Sequence, residues 1–142
     1  LRGEIVMSVG SWEPAAGRAE LGAEVLSRLC RAAADLEAPA FGLDAAEVDG
    51  LAPYARDGGP GSPIDWSAAA TPLDDAEIVA LIRLFTLAEM AFPGWKGADR
   101  SPVIALAALL KQRGAFPPGL TAWIRANSDN RFLPYGSLLR RL

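Results

Sequence analysis

The sequence predicts an all-α protein, a single domain over residues 1–142, with about five helices in an orthogonal or bundle-like array. Alanine is abundant and β-branched residues are few, which favours helices over strands. Apolar residues recur at helical spacing in several segments. Residues 3–10 resemble a short strand, but no second segment shows the alternation of a partner strand. The length fits one domain that buries a core without disulfides.

The first helix is predicted over residues 14–36, after an N-terminal extension of residues 1–10. Ser11 is the expected N-cap, and Pro14 lies in the first turn. Leucine, valine and alanine side chains follow helical spacing along one face. Cys30, the single cysteine, lies on that face, and we expect it to pack there as a small hydrophobic residue.

A short second helix is predicted within residues 43–57. Asp44, followed three residues later by a glutamate, indicates a capping box at its start. A Gly/Pro-rich crossover loop is predicted over residues 57–71. Ile64 and Trp66 lie in this loop, and such large apolar residues usually dock on a core. We therefore expect an ordered crossover and not a free linker.

The third helix, residues 72–91, is predicted to be the central one. Thr71 is the expected N-cap, Pro72 the first helical residue, and three acidic residues in the first turn complement the helix dipole. Apolar residues cover nearly all sides of this helix. A helix of this kind lies in the middle of a fold or in an interface.

Two more helices complete the predicted array. The fourth begins with Ser101 as N-cap and Pro102 as first residue, and it ends before Gly114. The fifth begins at the prolines 117–118 and ends near residue 126. The short connection between them predicts that the two helices are neighbours.

Residues 127–136, NSDNRFLPYG, are predicted to form a turn followed by a docked tail. Asn127 is expected in the left-handed position that ends a helix. The short polar residues after it form tight turns by bonding to nearby backbone groups. The next apolar residues, Phe132, Leu133 and Tyr135, are expected to lie across the preceding helix pair. A last short helix is predicted to begin at residue 136 or 137.

The alternative interpretation of this stretch is a polar ligand site. Its candidate contacts are Arg125, Asp129, Asn130, Arg131 and Glu89. Glu89 is included because it is a charged residue on a very apolar helix. We expect Glu89 to pair with Arg83, Lys96 or Arg100, or else to mark the solvent-exposed edge of that helix.

The residue types exclude several kinds of chemistry. The chain has no histidine, so it lacks the usual general base and the usual transition-metal ligand. One cysteine without histidine excludes a Cys–His nucleophile and a cysteine-rich zinc site. No phosphate-binding loop or nucleophile-elbow motif is present. We predict no catalytic residue, no metal ligand and no cofactor.

These observations favour a non-enzymatic interaction or regulatory module in the cytoplasm. The surplus apolar surface on the third and fourth helices predicts a homodimer. No apolar run is long enough to cross a membrane.

Two alternatives stay open. One is a nucleic-acid-binding helical domain, because residues 93–142 carry eight basic and two acidic side chains while residues 1–70 carry five basic and eleven acidic ones. The other is a hydrolase or small-ligand-binding protein that uses carboxylates and arginines.

Overall fold

The computed structural model describes residues 21–58 and 64–136, and the all-α class is confirmed. The described residues form six α-helices and no strand: α1 (Ala23–Ala33), α2 (Ala45–Arg56), α3 (Trp66–Ala70), α4 (Asp75–Ala91), α5 (Pro102–Gln112) and α6 (Leu120–Asn127). Short 3-10 turns lie at Pro39–Gly42, Pro93–Trp95 and Ala98–Arg100.

Some predictions fall outside the described residues. They are the N-terminal extension of residues 1–10, the start of the first helix at Ser11 and Pro14, and the short helix after residue 136. Residues 59–63 of the predicted crossover are also outside.

Helix α4 is the centre of the fold, as its apolar composition predicts. It contacts α1, α5 and α6, and eight of its 17 residues are buried. Phe85 of α4 packs edge to face on Trp66, with ring centroids 5.2 Å apart. The indole N–H of Trp66 donates to the Tyr54 carbonyl over 2.9 Å, and that of Trp95 donates to the Val48 carbonyl over 2.8 Å. Because each buried N–H has an acceptor, the large aromatic residues lie in the core without an unpaired donor.

The predicted crossover contains a sixth helix that sequence patterning missed. Helix α3 is only five residues long, and the Asp65 side chain caps it by accepting from the Ala68 amide over 3.0 Å. Ile64 and Trp66 are 3% and 0% exposed, so the docking of both residues is confirmed. Three alanines and a serine after Trp66 give no amphipathic pattern, which is why this segment looked like a loop.

The predicted start of the central helix was wrong by three residues. Asp74 is the N-cap of α4, and it forms a reciprocal capping box with Glu77. Thr71 instead ends α3, where its hydroxyl donates to the Ser67 carbonyl. The capping box pairs two backbone N–H donors, whereas a threonine cap would pair one, and this favours a helix start after Asp74. The capping box predicted at Asp44 is confirmed.

The end of the fifth predicted helix also differs from expectation. Asn127 is the last residue of α6 and does not have a positive φ, so the left-handed assignment was wrong. Its side-chain amide donates to the Trp123 carbonyl one turn earlier, over 2.8 Å, so the side chain folds back on its own helix. The helix begins at Leu120, after Gly119 with a φ of 84°, and not at the prolines.

The docked tail is confirmed for residues 132–136. Leu133 is 1% exposed, and Phe132 packs against the core from the surface. The Tyr135 hydroxyl lies 3.0 Å from the Thr121 hydroxyl of α6, within hydrogen-bond distance. The tail therefore covers the end of the helix pair.

The connection between α4 and α5 packs closely against neighbouring backbone at Gly97 but not at Gly94. A Cβ at Gly97 would lie 2.8 Å from the Arg56 carbonyl oxygen and 3.0 Å from the backbone of Ser101. A Cβ at Gly94 would meet nothing within 4 Å. We expect Gly97→Ala to lower the free energy of unfolding by about 1–3 kcal/mol, because backbone atoms must move apart.

Gly94→Ala is the control, and we expect it to change that free energy by less than about 1 kcal/mol. Urea denaturation of both variants measures the difference. Equal stabilities would contradict the close packing around Gly97.

Candidate ligand-binding site

Glu89, near the C-terminal end of α4, is 2% exposed and is the one acidic residue among the buried side chains of the described segments. The helix brings it inward because Phe85 and Thr86, both fully buried, precede it by four and three residues on the same side of α4. Burying a carboxyl group costs free energy unless hydrogen bonds compensate. The carboxyl therefore needs hydrogen-bond donors from within the fold.

Two side chains from other parts of the fold bond to the Glu89 carboxyl. The Ser101 hydroxyl donates to Oε2 in a very short hydrogen bond. The Asn130 side-chain amide donates to Oε1 over 3.3 Å and also to the Ala98 carbonyl over 3.0 Å. Glu89 thus joins α4 to the start of α5 and to the segment after α6.

Ser101 also stabilises the start of α5. It is the N-cap of α5, and its Oγ accepts from the Val103 amide over 3.2 Å while the hydroxyl donates to Glu89. A serine hydroxyl can donate once and accept twice, so both bonds are compatible.

The loop after α6 orients Asn130. The backbone amide of Asn130 donates to the Ser128 hydroxyl oxygen over 3.0 Å, and the Phe132 amide donates to the Asn130 side-chain oxygen over 3.0 Å. These bonds leave the Asn130 side-chain NH2 group free to reach Glu89 and Ala98. The same short polar residues that form the turn therefore also position a side chain of the site.

Ala98 has an unusual backbone conformation beside this cluster. Its φ is 52°, in the left-handed region where a residue with a Cβ loses roughly 1–2 kcal/mol. Backbone strain of this kind is concentrated at functional sites. Here it directs the Ala98 carbonyl toward Asn130.

A pocket of about 280 Å³ lies beside the Glu89 carboxyl. It is lined by Glu89, Lys96, Ala98, Asp129, Asn130, Arg131 and Phe132. Glu89 is buried, Asn130 and Phe132 are partly buried, and the other lining residues are exposed. The pocket therefore opens to solvent and has the carboxyl at its inner end.

The rim of the pocket carries charges of both signs. The Lys96 ammonium is 4.0 Å from the Asp129 carboxylate, and both side chains are more than half exposed. Such a long, solvated pair adds little stability. The Arg131 guanidinium lies over the Phe132 ring, 5.3 Å from its centroid. The rim charges are therefore weakly engaged and remain available to a ligand.

Burial raises the pKa of the Glu89 carboxyl from 4.5 to about 7. Desolvation is the largest cause, because the charged form loses water. The hydrogen bonds from Ser101 and Asn130 act in the opposite direction, and the nearby charges of Asp129 and Lys96 have smaller, opposing effects. Glu89 can thus change its protonation state near neutral pH.

Four of the candidate contacts named from the sequence line this pocket, and one does not. Glu89, Asp129, Asn130 and Arg131 line it. Arg125 lies elsewhere, with its guanidinium 5.8 Å from the centroid of the Tyr135 ring.

The expected surroundings of Glu89 were wrong. Arg83 lies over the Trp123 ring and Arg100 pairs with Asp57, whereas the direct partners of Glu89 are an alcohol and an amide. Nor does Glu89 mark a solvent-exposed edge, since it is almost fully buried.

Sequence reasoning missed part of the cluster. Ser101 was recognised only as a helix cap, because its proximity to Glu89 depends on how α4 and α5 pack. The strained backbone of Ala98 has no sequence signal, since the preceding Gly97 would have been the natural place for a positive φ. Lys96 was named as a partner of Glu89, but its nearest acidic group is Asp129.

Comparisons with protein-family models, curated proteins and solved structures gave no match to this chain. In residues 21–58 and 64–136, no helix has the length and apolarity needed to cross a membrane. The same residues contain no group of three or more acidic or cysteine side chains arranged to hold a metal ion. The arguments about function therefore depend on the pocket itself.

The raised pKa of Glu89 predicts a specific pH dependence of stability. The folded chain holds the Glu89 proton up to about pH 7, while the unfolded chain releases it near pH 4.5. The favourable contribution is therefore complete below pH 4.5 and is lost as the pH rises to about 7. The loss amounts to roughly 3 kcal/mol.

Glu89→Gln has no proton to lose and should not show this trend. We expect the stability of the wild type relative to Glu89→Gln to fall over this pH range, as measured by urea denaturation at a series of pH values. Parallel curves for the two proteins would contradict the assigned pKa of Glu89.

Proposed function

We propose that this chain is a helical domain that binds a small polar molecule in the pocket beside Glu89. The observation that carries the proposal is a nearly fully buried carboxyl group at the inner end of a solvent-open pocket. Perturbed acids in clefts are enriched at functional sites. Ala98, with a φ of 52° in the left-handed region, also lines this pocket.

The hydrogen bonds of Glu89 leave room for a ligand. A carboxylate has about four acceptor positions, and Ser101 and Asn130 occupy two of them. A ligand group that donates a hydrogen bond finds an acceptor already oriented by these partners. Because the partners are fixed by α5 and by the loop after α6, binding requires little reorganisation at the inner end.

Binding is favoured over hydrolysis at this site. Ser101 is the hydroxyl nearest to Glu89, but it is fully buried and does not line the pocket. A substrate in the pocket would therefore not reach it as a nucleophile. Hydrolysis would instead need a water molecule activated by Glu89.

The dimer predicted from surplus apolar surface lacks this kind of support. Met90, at 46% exposure, is the one large hydrophobic residue that the described segments leave exposed. The crossover and the tail cover the faces of α4 and α5 within the chain. Self-association therefore remains a prediction, and sedimentation at micromolar concentration tests it. A species of 15.0 kDa would rule it out.

The nucleic-acid alternative rested on the basic C-terminal region. In the described part of that region, the cations contact several partners: Arg113 binds Asp75, Arg100 binds Asp57, Lys96 faces Asp129, and Lys111 and Arg125 lie on Tyr135. Where they come together they form pairs, Lys96 with Arg131 at the pocket and Lys111 with Arg125 at Tyr135, whereas a phosphate backbone is bound by a longer run of cations. The small-ligand proposal is therefore preferred.

Saturation-transfer NMR with a panel of small carboxylates, primary amines, amino acids and polyols tests the proposal. We expect at least one compound to bind, and Asp129→Ala to weaken its binding because Asp129 lines the pocket. Asp49→Ala is the matched control, since Asp49 is an exposed aspartate on α2. Equal effects of the two substitutions, or no bound compound in the panel, would contradict the proposal.

A further inference from the structure

The pocket brings together two acidic and two basic side chains within a small volume. Glu89 and Asp129 provide the carboxyl groups, and Lys96 and Arg131 provide the cations. A ligand with one net charge would leave one of these two sets without a counter-charge. A ligand that carries both charges, separated by a short distance, matches both sets at once.

The inner end of the pocket selects a hydrogen-bond donor. The Glu89 carboxyl is held by two donors and retains acceptor capacity, and Asp129 adds a second carboxylate on the same pocket. An ammonium group fits this environment well because it has three donors and a positive charge. It would also supply the counter-charge that the buried carboxylate lacks within the fold.

The cations of the pocket select an anionic group. Lys96 faces Asp129 only at 4.0 Å, so a closer anion can compete for its ammonium. The planar Arg131 guanidinium is suited to a carboxylate, which it can bind through two parallel hydrogen bonds. Phe132 and Ala98 complete the lining with apolar surface that can contact a small hydrocarbon group.

We propose that the ligand is a free amino acid or a closely similar zwitterion, with its ammonium group bound by Glu89 and Asp129 and its carboxylate by Lys96 and Arg131. This inference rests on the proposed small-ligand function and specifies its ligand class. The pocket volume of about 280 Å³ lies just below the ~300–1,000 Å³ typical of drug-sized ligands, which suits a molecule of this size.

Derivatives that lack either the ammonium or the carboxylate charge show how much each group contributes to the affinity. The probes are alanine, leucine and phenylalanine, each as the free amino acid, the N-acetyl derivative and the corresponding primary amine without the carboxyl group. They are titrated by calorimetry at a pH above the Glu89 pKa, where the amine stays protonated. We expect a free amino acid to bind on the order of tenfold or more tightly than either derivative, because each derivative lacks a charge-assisted hydrogen bond.

Single substitutions show which side chain of the pocket binds each charged group of the ligand. Arg131→Ala should weaken binding of the free amino acid while changing binding of the corresponding amine little, because the amine lacks the carboxylate. Glu89→Gln should weaken both. Arg31→Ala is the control, since Arg31 is an exposed arginine on α1 outside the pocket, and it should change neither.

The outcomes distinguish this inference from the function on which it rests. Equal affinity for the free amino acid and its derivatives, or binding of simple carboxylates or amines without any free amino acid, would overturn the zwitterion assignment and leave the small-ligand function in place. Failure of every compound in the general panel and in this set to bind would overturn both.

Discussion

The buried carboxyl of Glu89 is the constraint on which this end of the molecule depends. One side chain of the central helix bonds to Ser101, the cap of α5, and to Asn130, in the loop after α6. Three segments that are distant in sequence are therefore fixed to one point. A carboxyl group in this position loses hydration, and its two donors offset only part of that loss, which is why its pKa is raised. The fold at this point is held by polar bonds, whereas its other contacts are largely apolar.

The same arrangement explains why structure and proposed function meet in one place. An apolar side chain at position 89 would suit the composition of α4, so the acid is not required by helix formation or by hydrophobic packing. Buried polar groups of this kind can also specify a unique packing of helices. The open pocket makes a binding role the better account, because joining three segments does not require a pocket beside the carboxyl.

Much of the architecture was predictable because it follows from local rules. The all-α class, the central helix, the cap at Ser101, the capping box at Asp44 and the docked tail all follow from residue spacing and from backbone hydrogen-bonding needs. The errors also have local causes. At Asp74 a two-residue capping box replaced the expected threonine cap, and α3 was missed because its alanines carry no periodic pattern.

Local sequence rules predict less of the candidate site than of the helices. Residue patterns alone predict that residues 127–136 form a turn and a tail, that Glu89 is an unusual charge on an apolar helix, and that the chain has no histidine chemistry. The burial of Glu89, its hydrogen bond from Asn130, 41 residues away, and the separate position of Arg125 follow from the packing of the helices. The reason is physical: helical spacing fixes which face of a helix a residue occupies, while the partner of that face depends on how helices pack.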